Sequence, residues 1–220
     1  QRGSAKKVFR AIDLLRSYNI PLGLKSCCMQ ENKDEIIKIN RFAQDLQVTY
    51  HFDGELFPRS DRSRTPIEYI FSPQEEYRLR RACYPEMFRT RTKKGRIHSC
   101  VRPGRNLKRV FNCGAGYTDI TISPYGELNI CIEISYPRYK IFEGSLQKGW
   151  QVIKGIVDDL RPSKDWDCFR CDLINYCSWC PGRGYLKNGS FTSCDPIVRE
   201  QAIFARRIYK QENLNKHKDK

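Results

Sequence analysis

The chain contains no run of about eighteen apolar residues, so no segment of it reads as a membrane-spanning helix. Gln1 to Lys7 carry charge with no apolar stretch behind them, and no secretory signal is read there. Cysteine, by contrast, is abundant, but the count of 11 is odd. A fully paired disulfide scheme is therefore excluded without an outside partner, and reduced thiols in the cytoplasm are the expectation. The balance of 40 Lys and Arg against 25 Asp and Glu gives a formal charge of +15, which attracts anions. Yet the basic residues are scattered through 78–96, 102–109, Arg206–Arg207 and the C-terminal "KHKDK". They form no zinc finger, no RNP pair and no recognition helix, so they read as a solvated basic face and nucleic acid is not expected as a partner.

The apolar pattern changes along the chain. In "GSAKKVFRAIDLLRSYNI" the residues Val8, Ile12 and Leu15 share a helical face, with Ser4 as candidate N-cap. Pro21 follows, and "LGLKSCCM" reads as a short buried strand. "NKDEIIKINRFAQDL" repeats the helical spacing through Ile36, Ile39, Ala43 and Leu46, with Asp34 and Glu35 suited to the first turn. "VTYHFDG" supplies a second strand. Helix, strand, helix, strand is the signature of a parallel sheet, and residues 1–52 read as one piece of a larger α/β layer. Residues 57–73 are polar and turn-rich. "PQEEYRLRRACYPEMF" is expected to form a helix capped by Ser72 or opened by Pro73 and ended before Pro85, with Cys83 inside it as a small buried hydrophobe.

From residue 106 onward the texture differs. "RVFNCGAGYTDITISPYGELNIC" predicts a hairpin turning at "SPYG". "GSLQKGWQVIKGIVDDLR" predicts a helix that buries Leu146, Trp150, Ile153, Val157 and Leu160, and a last helix around Ile197 to Gln211 offers Ala202, Ala205 and Ile208 or Tyr209 to a core. Beyond Glu212 a frayed tail is expected.

Seven cysteines fall in this region: Cys113, Cys131, Cys168, Cys171, Cys177, Cys180 and Cys194. Thiolates two residues apart can face one metal, so the pairs Cys168/Cys171 and Cys177/Cys180 suit zinc, although only five residues separate them. Disulfides in such a crowd would be strained or ambiguous. Iron–sulfur cubes take four thiolates each and can share a closely spaced run between two cubes. Spacing alone leaves iron and zinc both open.

The order of those seven cysteines, with the "GELNIC" turn between the first two, resembles the SPASM domain found at the C-terminus of many radical SAM enzymes. The commoner form places three residues between the fifth and sixth cysteines, whereas Cys177 and Cys180 have two between them. "IPLGLKSCCMQENKDEIIKI" is similar to a late strand and helix of the radical SAM partial barrel, and "FDGELFPRSDRSRTPIEYIFSPQE" to the bridge seen in peptide-modifying members. The chain has no CxxxCxxC loop, and the adjacent Cys27 and Cys28 cannot replace one.

That resemblance implies an α+β chain: the C-terminal fragment of a partial (β/α) barrel over 1–52, a bridge over 53–105, a cysteine-rich SPASM domain with a hairpin and helices over 106–198, and a C-terminal helix and tail over 199–220. It implies two auxiliary 4Fe–4S clusters, an inner one held by Cys113, Cys131 and Cys180 and an outer one by Cys168, Cys171, Cys177 and Cys194. Asp119, Cys100 or a substrate group are the candidates for the fourth inner ligand. SAM and a third cluster would be bound only with an upstream part of the barrel, and this chain alone would not turn SAM over. The intact protein would then be an enzyme that modifies a peptide or protein substrate by 5′-deoxyadenosyl radical chemistry, supplied with electrons by a ferredoxin or flavodoxin. A non-catalytic module that binds iron–sulfur clusters or zinc and acts with a partner is the alternative.

Overall fold

The structure, a computed structural model, describes residues 3–86, 106–164 and 166–218. Cys100 and the basic run from 87 to 105 lie outside them. Contacts divide the chain into two units, Gln1–Glu55 with Tyr69–Pro85, and Leu56–Glu68 with Glu86–Lys220.

In the first unit α1 (Ser4–Ser17), β1 (Gly23–Cys27), α2 (Lys33–Asp45) and β2 (Thr49–Asp53) follow in order. The two strands pair in parallel from Gly23 opposite Thr49 to Cys27 opposite Asp53, with α2 as the crossover a parallel connection requires. α2 buries Ile36, Asn40 and Ala43, residues three and four apart on one face. Ile36 and Ala43 pack with Cys28, Tyr50, Phe52, Phe71 and Cys83. β1 alternates between exposed and half-buried positions, so it is not the wholly buried strand expected. On α1 only Ile12 is buried, while Val8 and Leu15 stay exposed. The N-cap of α1 is Gly3, at φ 85°, and Ser4 is the first helical residue.

α3 (Pro73–Cys83) is set by local chemistry. The Ser72 hydroxyl accepts the Glu75 N–H at 3.2 Å, and the Glu75 carboxylate accepts the Ser72 N–H at 3.0 Å. This reciprocal box, followed by proline in the first turn, satisfies donors that a helix start leaves unpaired. The helix ends at Tyr84, whose hydroxyl accepts the Phe52 N–H at 3.0 Å and whose ring stacks on Phe52 at 5.6 Å.

The second unit holds an antiparallel sheet of β3 (Thr121–Ile122), β4 (Glu127–Cys131) and β5 (Ile134–Lys140), in that order. The β3–β4 turn spans Ser123–Gly126, where "SPYG" predicts it. Gly126 has φ 73°, and the Phe142 ring occupies the space a Cβ would need. α4 (Leu146–Asp159) starts at Ser145, whose hydroxyl accepts the Lys148 N–H at 3.2 Å. α4 lies on the sheet through Gly149, Ile153 and Val157, while Leu146 is exposed. Then come α5 (Pro181–Asn188) and α6 (Pro196–Lys218). α6 continues as backbone helix to Lys218, past the expected fraying point at Glu212. Leu128, Ile130, Ile134, Ile153, Val157, Trp166, Trp179 and Val198 belong to one core.

This architecture corrects the expected fold class. The strands form one open two-stranded parallel sheet and one open three-stranded antiparallel sheet, so the described residues make a small mixed α/β fold. No partial (β/α) barrel is built among them. The helix–strand alternation of 1–52 reports the βαβ unit and says nothing of how many strands join it, and the barrel fragment that the family resemblance implies is not found there.

Candidate functional site

The cysteine-rich segment is shaped by two short 3-10 turns, Asp167–Arg170 and Ile174–Tyr176. Cys168 lies within the first, Cys171 ends it, Cys177 ends the second, and Cys180 is the N-cap of α5. Their spacing therefore follows the rhythm of tight turns. Trp166 precedes the first turn and packs its ring 5.4 Å from Phe169 and 5.0 Å from Trp179. The Trp179 indole N–H donates to the Ser193 carbonyl at 2.9 Å, and Lys187 donates to the Cys194 carbonyl at 2.7 Å. These two bonds fix the 190–194 loop against α5. Gly184 makes the approach possible, since a Cβ there would stand 2.7 Å from the Ser190 carbonyl oxygen and 2.9 Å from that of Ser193.

Asp195 then turns the chain into α6. Its carboxylate accepts the Ile197 N–H at 2.9 Å and faces Arg183 at 3.7 Å, both side chains being 2% exposed. The Arg183 guanidinium also lies over the Phe57 ring at 4.3 Å.

Between these supports is a cavity of about 490 Å³. Four of the seven cysteines line it, Cys168, Cys171, Cys177 and Cys194. Trp166, Trp179, Leu173 and Ala202 give it an apolar wall, and Lys164, Arg170, Arg199, Asp167 and Asp172 give it charge. Burial, with the Asp167 carboxylate next in effect, pushes the Cys194 thiol up from its ordinary range, so it is a neutral SH group at neutral pH. Asp172 is engaged by Arg206, which holds its carboxyl low.

Cys113, Cys131 and Cys180 form a second neighbourhood, within electrostatic range of one another. Burial pushes Cys131 up to about 11 against an opposing N–H donated by Glu133. It raises Cys180 against N–H groups donated by Arg183 and Gly182. The Asp119 carboxylate accepts the Thr118 hydroxyl at 2.9 Å and packs where a Cβ on Gly114, the residue after Cys113, would sit. Cys100 is outside the described residues.

Four of the seven cysteines thus line one cavity, while Cys113, Cys131 and Cys180 lie in electrostatic range of one another. Among the described residues no group of three or more His, Cys, Asp or Glu side chains is placed to hold a metal ion. The ten described cysteines are all free thiols. The expected auxiliary 4Fe–4S clusters, with SAM and a third cluster beyond them, are therefore not supported by the donor geometry, and no chemistry is derived through them. Comparison with protein-family models and with curated proteins returned no match. With no matching family and no converged ligand set, the resemblance to SPASM-domain radical SAM enzymes is withdrawn. With it go the radical SAM enzyme and oxidoreductase assignment and the iron–sulfur or zinc module. The misreading has a physical origin: spacing along a chain brings sulfurs to one neighbourhood, whereas ligation requires their sulfur atoms to converge on a common centre.

Sequence reasoning missed the other half of the pocket. Lys164, Trp166, Arg170, Arg199 and Ala202 come from two separate segments, 164–170 and α6, and share no motif. The one available signal was that two of the three tryptophans, Trp166 and Trp179, flank Cys168, Cys171 and Cys177. No helix among the described residues is long and apolar enough to cross a membrane.

Proposed function

We propose that this chain is a non-enzymatic binding module, residing in the cytoplasm, which receives a short segment of a peptide or protein partner in the pocket beside α6. The observation that carries this reading is the cavity itself. Its volume of about 490 Å³ lies in the range of sites that enclose small ligands, and its lining mixes aromatic and aliphatic surface with a few charged groups. Cys168, Cys171, Cys177 and Cys194 serve there as small, polarizable wall residues. The free state of every described cysteine is in keeping with a reducing compartment.

The module is also pre-organised. Trp179, Lys187 and Asp195 each tie the loop before α6 to fixed structure, so a bound segment need not order its own site. Titration of the ¹⁵N-labelled full chain with blocked tetrapeptides containing phenylalanine tests the reading. Saturable shifts concentrated at Trp166, Leu173, Trp179 and Ala202 are expected. Shifts spread over the surface, or none for any peptide at millimolar concentration, would overturn it.

A further inference from the structure

α1 buries one residue, Ile12, and Phe9 meets the Phe42 ring edge-on at 5.6 Å beside it. The rest of its apolar surface faces solvent: Val8 and Leu14 are 56% exposed and Tyr18 72%, and Ala11 and Leu15 are exposed with them. Val8, Ala11, Leu15 and Tyr18 follow one another at intervals of three, four and three residues, so they make one stripe about 15 Å long. Leu14 lies along its border. Apolar residues scattered singly over a surface need no explanation, whereas a continuous stripe on a helix marks an interaction surface.

The three–four spacing is that of a seam which a second helix completes. Ala11 stands near the middle, where a small side chain lets another helix approach closely. Adsorption to a lipid surface instead grows with buried apolar area, which a central alanine reduces. Charge narrows the occupant further. Lys6, Lys7, Arg10 and Arg16 against the single Asp13 give α1 a formal charge of +3, and these four cations have no ion-pair partner among the described residues. Lys7 and Arg10 precede Leu14 by seven and four residues, on the same border of the stripe. A second copy would set another such helix, on another chain of +15, against the first. An acidic partner meets no such repulsion.

We propose that this face of α1 docks an acidic amphipathic helix of another protein, its apolar seam on Val8, Ala11, Leu15 and Tyr18 and its carboxylates against Lys7 and Arg10. Laying an apolar helix face against a complementary one is a recurrent mode of peptide recognition. This surface belongs to the first unit and shares no residue with the pocket beside α6.

The test titrates the ¹⁵N-labelled full chain at about 0.15 M salt with a blocked peptide of three Glu-Leu-Ala-Ala-Leu-Glu-Glu heptads, and with a counterpart in which every glutamate is lysine. The acidic peptide should bind about tenfold more tightly, since like charges across an interface oppose docking, and its shifts should concentrate on α1. Ala11→Gln alters an exposed side chain and should weaken the acidic peptide about tenfold, with the thermal midpoint of the chain unchanged. Lys7→Gln combined with Arg10→Gln should bring the two peptides to within about threefold of one another. Equal affinity of the two peptides, shifts that lie away from α1, or no binding at millimolar concentration would overturn the proposal while leaving the pocket reading intact. A concentration-dependent dimer in sedimentation, abolished by Ala11→Gln, would give the stripe to a second copy and overturn it. Co-sedimentation with phosphatidylserine-containing vesicles, abolished by Leu14→Gln, would give it to a lipid surface and overturn it equally.

Discussion

Removing the Asp195 carboxylate should destabilise the second unit more than any other single polar change. Arg183 and Asp195 face each other at 3.7 Å with both side chains 2% exposed, so neither has water to fall back on. Replacing one member leaves the other charge buried, a cost of about 3–5 kcal/mol. Asp195 also accepts the Ile197 N–H at the start of α6, and losing such a cap adds about 1 kcal/mol. Asp195→Ala should therefore lose about 4–6 kcal/mol, and Asp195→Asn, which keeps an acceptor for the cap, about 3–5 kcal/mol. Replacing both charges, as in Arg183→Met with Asp195→Asn, should recover most of that loss, since a buried pair exchanged for neutral groups of similar size is often close to neutral. Urea unfolding followed by tryptophan fluorescence reads this directly: with a slope of about 2 kcal/mol per M, Asp195→Ala moves the midpoint by about 2–3 M. If Asp195→Ala and Asp195→Asn both stay within about 1 kcal/mol of the parent chain, far below the cost of an orphaned buried charge, the ion pair does not hold the loop and α6 together as argued.

Other consequences are as direct. The Glu75 carboxyl is held down to about 2 by the Gln30 side chain and by the hydroxyl and N–H of Ser72. Its stabilising contribution is therefore present above the ordinary carboxylate range and lost as pH falls through about 2. With the side chain 32% exposed, screening reduces the contribution to about 1–2 kcal/mol. A ¹³C titration of Glu75 should show the low midpoint, and one near 4.5 would contradict it. Gly149→Ala places a Cβ 2.5 Å from Tyr139 Cδ1 and 2.9 Å from Leu128 Cδ2. Its thermal midpoint should fall, because overpacking of about 1–3 kcal/mol exceeds the roughly 1 kcal/mol of helix propensity gained. Cys194 should react with iodoacetamide at pH 7 more slowly than an unperturbed thiol, and saturating peptide should slow it further; a rate above that of free cysteine would place a thiolate in the pocket.

Local chemistry was the legible part of this sequence. The Ser72–Glu75 box, the "SPYG" turn and the periodicity of α2 and α4 each fix an element through residues within a few positions of one another. Two elements escaped for equally physical reasons. β5 contains Pro137, which weakens a strand signal but is tolerated on the edge strand that β5 is. α5 contains Gly182 and Gly184, poor helix formers retained because Glu133 and the Ser190–Ser193 backbone press against them. The pocket was half legible. Its four cysteines were visible, three in a crowded run and Cys194 behind it, but their chemistry was misjudged, since sulfur spacing alone does not distinguish a soft wall from a ligand set. The charged rim was invisible, because Lys164 and Arg199 meet only after α5 and the following loop have folded back.

Native mass spectrometry of the full chain, purified without oxygen or chelator and sprayed with Ac-Ala-Glu-Phe-Ala-amide, tests the central claim in one spectrum. The account predicts the 25.9 kDa polypeptide with all thiols reduced and one peptide bound. A polypeptide that instead carries zinc, or iron with sulfide, and binds no peptide would contradict it.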